Sequence, residues 1–296
     1  MLKVFLFVLP FFAFSQNSSF LKPSDTLHKA RINFVIATQT TLSATSILAL
    51  DRLWYSDFER GRFKSVNDNS HWLQVDKAGH AFSAYQLSRL GANSLNWAGV
   101  SKNTQLIYGT GMAMGFLTAI EIMDGFSEEW GFSWGDMAAN ALGGGLYAGQ
   151  ELLWKEQRIA LKFSFHQTQY ASLRPETLGN GLSEEIFKDY NGQTYWLSFN
   201  LHSFFKESRL PKWLNVAFGY GAEGMLTAEE DDLLDGIISP ERYRQFYLSL
   251  DVDLTKIKTN SHLLRTLFDV FNLIKMPFPA LEINGKGVVK LHYIYF

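Results

Sequence analysis

Apolar and polar positions along the chain follow two periods, and the change comes near residue 158. Before it, long stretches carry few charges: Ile32 to Leu50 has none, Asp76 to about Trp97 has helical spacing, Thr104 to Met123 is uncharged until Glu121, and a fourth stretch runs from Ser133 to about Gln157. Apolar runs of this length and spacing predict helices. Gly111 and Gly115 stand one turn apart, as do Gly145 and Gly149, a small-residue pattern that lets helix backbones approach closely. A glycine inside a helix costs up to ~1 kcal/mol relative to Ala, so the pattern predicts tight and partly transmembrane-like packing. A soluble glycine-rich bundle is the alternative.

After Arg158 the period becomes two. Leu161, Phe163 and Phe165 alternate with Lys162, Ser164 and His166; Tyr195, Leu197, Phe199 and Leu201 alternate with polar neighbours, and so do Phe246, Leu248, Leu250 and Val252. Alternation of this kind predicts strands with one apolar face, about six in all. Between them Leu263, Leu264, Leu267, Phe268 and Phe271 fall at helical spacing, predicting an amphipathic helix near 261–275 that lies on a membrane surface or packs on the sheet. The expected fold class is α+β: a bundle of about four Gly-rich helices over 16–158, then an antiparallel β-rich region over 159–296. The closing Tyr293-Ile294-Tyr295-Phe296 is like the ending of outer-membrane barrels. Six strands fall short of the eight that single-chain bacterial barrels need, and a soluble sheet covered on one side explains the alternation equally.

The first residues change the picture of location. Lys3, the apolar run Val4 to Phe14 and the small-residue end Ala13-Phe14-Ser15 follow the plan of a secretory signal peptide over 1–15. The run is too short to cross a bilayer, which takes roughly 20 residues. The chain has 296 residues, is 47% hydrophobic and carries a net charge of -2, which leaves no electrostatic case for a nucleic-acid partner. The sequence contains no cysteine, so disulfides, thiolate metal sites and an acylated cysteine are excluded. Localisation in the cell envelope follows, exported and membrane-associated at the outer membrane or periplasmic side, with membrane lipids or another envelope protein as the expected partner.

Candidate chemistry gathers at helix ends. Asp76 and His80 are four apart, Glu121 and Asp124 three apart, and Asp136 and Asn140 four apart. Antiparallel helices with short connections bring these ends together, where they would bind a divalent metal through Asp76, His80, Glu121, Asp124 and Asp136 or supply an acid and base from His80, Glu121 and Asp136. Each also has a plain structural reading: Asp76 as an N-cap, Ser133 and Asp136 as a capping box, Asp124-Gly125 as a helix stop, Asn140 as a structural bridge. Glu121 is the exception, since a carboxylate after a long uncharged run is costly to bury unless paired.

Asp76-Lys77-x-x-His80 with Tyr85, Glu121-x-x-Asp124, and Ser133-Trp134-x-Asp136-x-x-x-Asn140-x-x-Gly143 together resemble the pattern of VanZ-like proteins, and most of all their exported YfiM-like relatives. The resemblance spans roughly 70–152. It implies an envelope protein with a helical bundle and points to Asp76, His80, Glu121, Asp136 and Asn140. The VanZ family is associated with low-level teicoplanin resistance through an unknown activity, and the YfiM-like group is a domain of unknown function. Asp124 stands where VanZ-like proteins commonly carry Gln, and the strand-rich part has no counterpart in the pattern. Two functions stay open: a structural or assembly role at a membrane, and a membrane-associated, metal-dependent hydrolase of a lipid or cell-wall precursor. No H-E-x-x-H helix or phosphate-binding loop is present to support the second.

Overall fold

The structure is a computed structural model that describes residues 20–52, 59–230 and 240–296; the expected signal peptide lies outside them. It is an α+β fold in which helices precede an antiparallel sheet of six strands. The first helix, α1 (Lys29–Leu50), is followed by a short strand β1 (Ser65–Val66), then α2 (Val75–Trp97), α3 (Lys102–Gly125), strand β2 (Phe132–Ser133) and α4 (Trp134–Leu153). Helices α2, α3 and α4 pack on one another. The expected bundle of four is not what forms: α1 buries only Val35 and is held at the far end of α2, where the Arg31 guanidinium sits 4.6 Å over the Trp97 ring. Both α1 and α3 are long and apolar enough to cross a membrane by length and composition.

The glycines that matter for packing are not the spaced pairs. A Cβ on Gly111, Gly115, Gly145 or Gly149 would meet nothing within 4 Å, so these four face outward. One on Gly143 would sit 2.0 Å from the Ala81 carbonyl oxygen, and one on Gly109 2.6 Å from the Ala92 nitrogen. Those two set how closely α4 and α3 approach α2. The spacing correctly put small residues in rows; it did not say which rows have a neighbour.

The sheet is a meander of β3 (Ile159–Phe165), β4 (Gln193–Asn200), β5 (Leu214–Glu223), β6 (Tyr243–Val252), β7 (Phe278–Asn284) and β8 (Val289–Tyr295), each paired antiparallel with the next. Short helices α5 (Pro175–Leu178), α6 (Leu182–Lys188) and α7 (Leu201–Phe204) fill its connections, and α8 (His262–Phe271) lies between β6 and β7. The sheet curls until its edges meet. Residues Leu273 to Lys275, just ahead of β7, bond to both backbone polar groups of Phe163 on β3 at 2.9 Å, and the Tyr295 hydroxyl on β8 reaches that of Thr194 on β4 at 3.0 Å.

The curled sheet turns its more polar rows inward. The inward rows hold Trp196, Tyr247 and Tyr295 together with polar Ser198, Asn215, Gln245 and Glu282, and a Lys162–Asp251 ion pair at 2.8 Å with both side chains fully buried. The apolar rows point outward. On β3 and β4 helix α2 covers part of them, its Phe82 ring lying 5.8 Å from Phe163 and 5.7 Å from Tyr195, while Leu197 stays exposed. On β5 to β8 they stay exposed. Helix α8 is shorter than expected and does not pack into a core: Ser261 caps it, Asp269 on one side is held by Arg89 and Asn93 of α2, and none of its residues is buried.

Candidate functional site

The N-terminal ends of α2 and α4 and the C-terminal end of α3 meet, as short antiparallel connections require. The chain reaches α2 through Trp72, Leu73 and Gln74, whose φ angles are 48°, 49° and 66°, a left-handed run that non-glycine residues rarely adopt. Helical geometry resumes at Val75, so Asp76 stands inside the first turn and is not an N-cap. Ser133 does cap α4, its Oγ accepting from the Asp136 nitrogen at 3.1 Å.

Two groups of side chains share Asp136. In the first, the Lys77 ammonium sits among three carboxylates, 2.8 Å from Asp68, 3.0 Å from Asp76 and 2.9 Å from Asp136. Asp68 also accepts from the Ser133 hydroxyl at 2.5 Å. Burial works to raise the Asp68 pKa, but hydrogen bonds from Lys77 and Ser133 outweigh it and the pKa falls. At Asp76 burial wins over the Lys77 charge and the pKa rises, with Asp136 adding repulsion. Burial would discharge Lys77, yet Asp76 and Asp136 more than reverse this, so it stays an ammonium. The three carboxylates have the spacing of metal ligands, but the ammonium already supplies their cation.

The second group is His80, Glu121 and Asp136, whose ligand atoms lie within 4.8 Å of one another. His80 Nδ1 is 3.2 Å from Asn140 Oδ1 and 3.7 Å from Glu121 Oε1, and Nε2 is 3.6 Å from Asp136 Oδ1. With Nδ1–H donating to Asn140, Nε2 keeps its lone pair on the Asp136 side. Glu121 is 1% exposed and its Oε2 accepts from the Ser133 backbone nitrogen at 3.2 Å. Its Oε1 and the Asn140 Nδ2 are buried without a hydrogen-bond partner. Burial, then repulsion from Asp136 and Asp124, pushes the Glu121 pKa up to about 8. The His80 side chain, 24% exposed, is the part of this group open to solvent.

The structure thus brings together Asp76, His80, Glu121, Asp136 and Asn140. Asp124 is in neither group of candidate ligands, and its charge helps to raise the Glu121 pKa. Sequence reasoning missed Asp68 and the central place of Lys77. Asp68 sits in Asn67-Asp68-Asn69-Ser70, where nothing separates it from an ordinary turn residue. Lys77 could have been found, since a lysine directly after Asp76 on a helix that buries its neighbours must itself find partners.

No curated protein and no solved structure matches the chain. Residues 61–149, under a third of the sequence, match the model of a family described as a predicted periplasmic lipoprotein (DUF2279). The match does not carry the VanZ-like or YfiM-like names, and this sequence holds no cysteine to acylate. The matched stretch contains every residue of both side-chain groups, and on this similarity the chain carries an uncharacterised envelope domain and is an exported, membrane-associated protein of the cell envelope.

Proposed function

We propose that this envelope protein binds one divalent cation through His80, Glu121 and Asp136 and uses it for hydrolysis of a lipid or cell-wall precursor. The observation that carries the reading is the buried, partnerless Glu121 Oε1 facing an imidazole and a second carboxylate. A buried polar atom without a partner costs about 1–3 kcal/mol, and a cation removes that cost while drawing off the proton that burial favours. One imidazole and two carboxylates suit Zn²⁺ or Mn²⁺ better than Ca²⁺, which takes six to eight oxygens. Ligands at ~2.1 Å from one ion lie up to ~4.2 Å apart; His80 Nε2 and Asp136 Oδ1, 3.6 Å apart, fall within that reach, and one ligand atom from each of the three residues lies within 4.8 Å of the others. Three protein ligands leave a position for water on the open side of His80, where a metal supplies a hydroxide near neutral pH.

A structural or assembly role is the second reading, supported by the Lys77 group. One ammonium there ties together a loop, α2 and α4 with no polar contribution from outside. Calorimetric titration of chelator-treated full-length protein with Zn²⁺ and Mn²⁺ separates the two. The metal reading expects one equivalent bound by the parent protein and none by Glu121→Gln. No binding by the parent protein leaves the structural role.

A further inference from the structure

The outward rows of β5 to β8 form an apolar flank that stays largely uncovered among the described residues. Phe218, Phe246, Leu248, Leu281, Ile283 and Leu291 are between 37% and 58% exposed, and register places Phe218 beside Leu248, Leu248 beside Leu281 and Leu281 beside Leu291. A contiguous apolar surface of this kind marks an interaction site. The inner rows meanwhile enclose a charged pair and many hydrogen-bonding groups. Polar inside with apolar outside is the arrangement of sheets that face lipid.

From this inversion and its charged rims, we infer that the β5–β8 flank lies in one leaflet of a lipid bilayer with anionic headgroups. Exposed Lys212 stands just before β5 at one rim, and exposed Arg244 on β6 at the other. The outward positions of β5 to β8 between them include no acidic side chain. Cations at both rims complement anionic headgroups; exposed Glu241 at the Arg244 rim is already paired with Lys286 at 3.0 Å, so the strands of a second copy of the same flank offer Lys212 and Arg244 no unpaired acid. The depth follows from the strand geometry. From Phe246 to Leu250 is four steps at ~3.4 Å, about 14 Å, against the ~25 Å band of a spanning barrel. The flank therefore dips into one leaflet and does not span. This inference does not depend on the cation site.

The absence of cysteine makes the test direct. Full-length Leu248→Cys and Phe187→Cys proteins, each labelled with an environment-sensitive fluorophore, are mixed with vesicles of phosphatidylcholine and phosphatidylglycerol. Phe187, on α6, is an exposed apolar control outside the flank. The label at 248 should shift to the blue and lose quenching by iodide, while the label at 187 should not change. The triple change Phe246→Thr, Leu248→Thr and Leu250→Thr should lower partition into the same vesicles on the order of 100-fold, with the near-ultraviolet dichroism of buried Trp196 unchanged. Continued iodide access at 248 on vesicles would overturn the inference. So would shielding of that label without lipid at a dimeric mass, or only when another envelope protein is added.

Discussion

Replacing Glu121 with Gln keeps shape and the hydrogen bond from Ser133 but removes the group that burial and two nearby carboxylates hold protonated to about pH 8. In the unfolded chain a glutamate ionises near 4.5. Between these values the native state binds a proton that the unfolded state has lost, so stability falls as pH rises, by about 1.4 kcal/mol per unit. At pH 7 the accumulated loss is about 3 kcal/mol, and below pH 4 it is gone. Chelator-treated Glu121→Gln should therefore be more stable than the parent protein at pH 7, by roughly 6 °C in midpoint, and equal to it near pH 4. Saturating Zn²⁺ or Mn²⁺ should reverse the order, because a cation at about 1,000 times its Kd adds about 4.1 kcal/mol to the parent protein alone. Thermal unfolding in detergent, followed by tryptophan fluorescence across this pH range, reads all three comparisons. A variant less stable than the parent at every pH without metal would refute the reasoning, since Glu121 would then be an ionised partner of His80.

Lys77→Met leaves Asp68, Asp76 and Asp136 facing one another without their cation; denaturant unfolding should show a loss of about 3–5 kcal/mol at pH 8 that shrinks as pH falls, since burial raises the Asp76 pKa. Gly143→Val should cost several kcal/mol by driving a side chain into the Ala81 carbonyl, whereas Gly145→Ala, with open space around it, should gain up to ~1 kcal/mol from helix propensity; the same unfolding assay orders them. Lys162→Met should cost about 3–5 kcal/mol by stranding Asp251 inside the sheet, and adding Asp251→Leu should recover part of it.

The alternation after residue 158 marks β3, β4 and β6 but does not single out β5, whose alternate positions Asn215, Ala217, Gly219 and Gly221 carry little polarity. It could not say which row faces out. A membrane-facing and a soluble sheet share that alternation, and only the curled sheet shows an interior that pairs Lys162 with Asp251 and Ser198 with Asp251 and Asn215. At the candidate site, the antiparallel order of α2, α3 and α4 made the meeting of His80, Glu121 and Asp136 legible. Asp68 comes from a loop 12 residues before His80, and its contact with Lys77 depends on the left-handed run at Trp72 to Gln74, which no residue type there announces. Gly143 stands in the motif of the resemblance and Gly109 does not, and the helix crossing shows that both are close-approach positions.

X-ray absorption of protein loaded with one equivalent of Zn²⁺ tests the central claim most directly, because it reads the ligands themselves. The account predicts a first shell of nitrogen and oxygen at ~2.0–2.2 Å with the outer-shell scattering of one imidazole. That scattering should disappear in His80→Asn. A shell of oxygen alone in the parent protein, or imidazole scattering that survives His80→Asn, would contradict it.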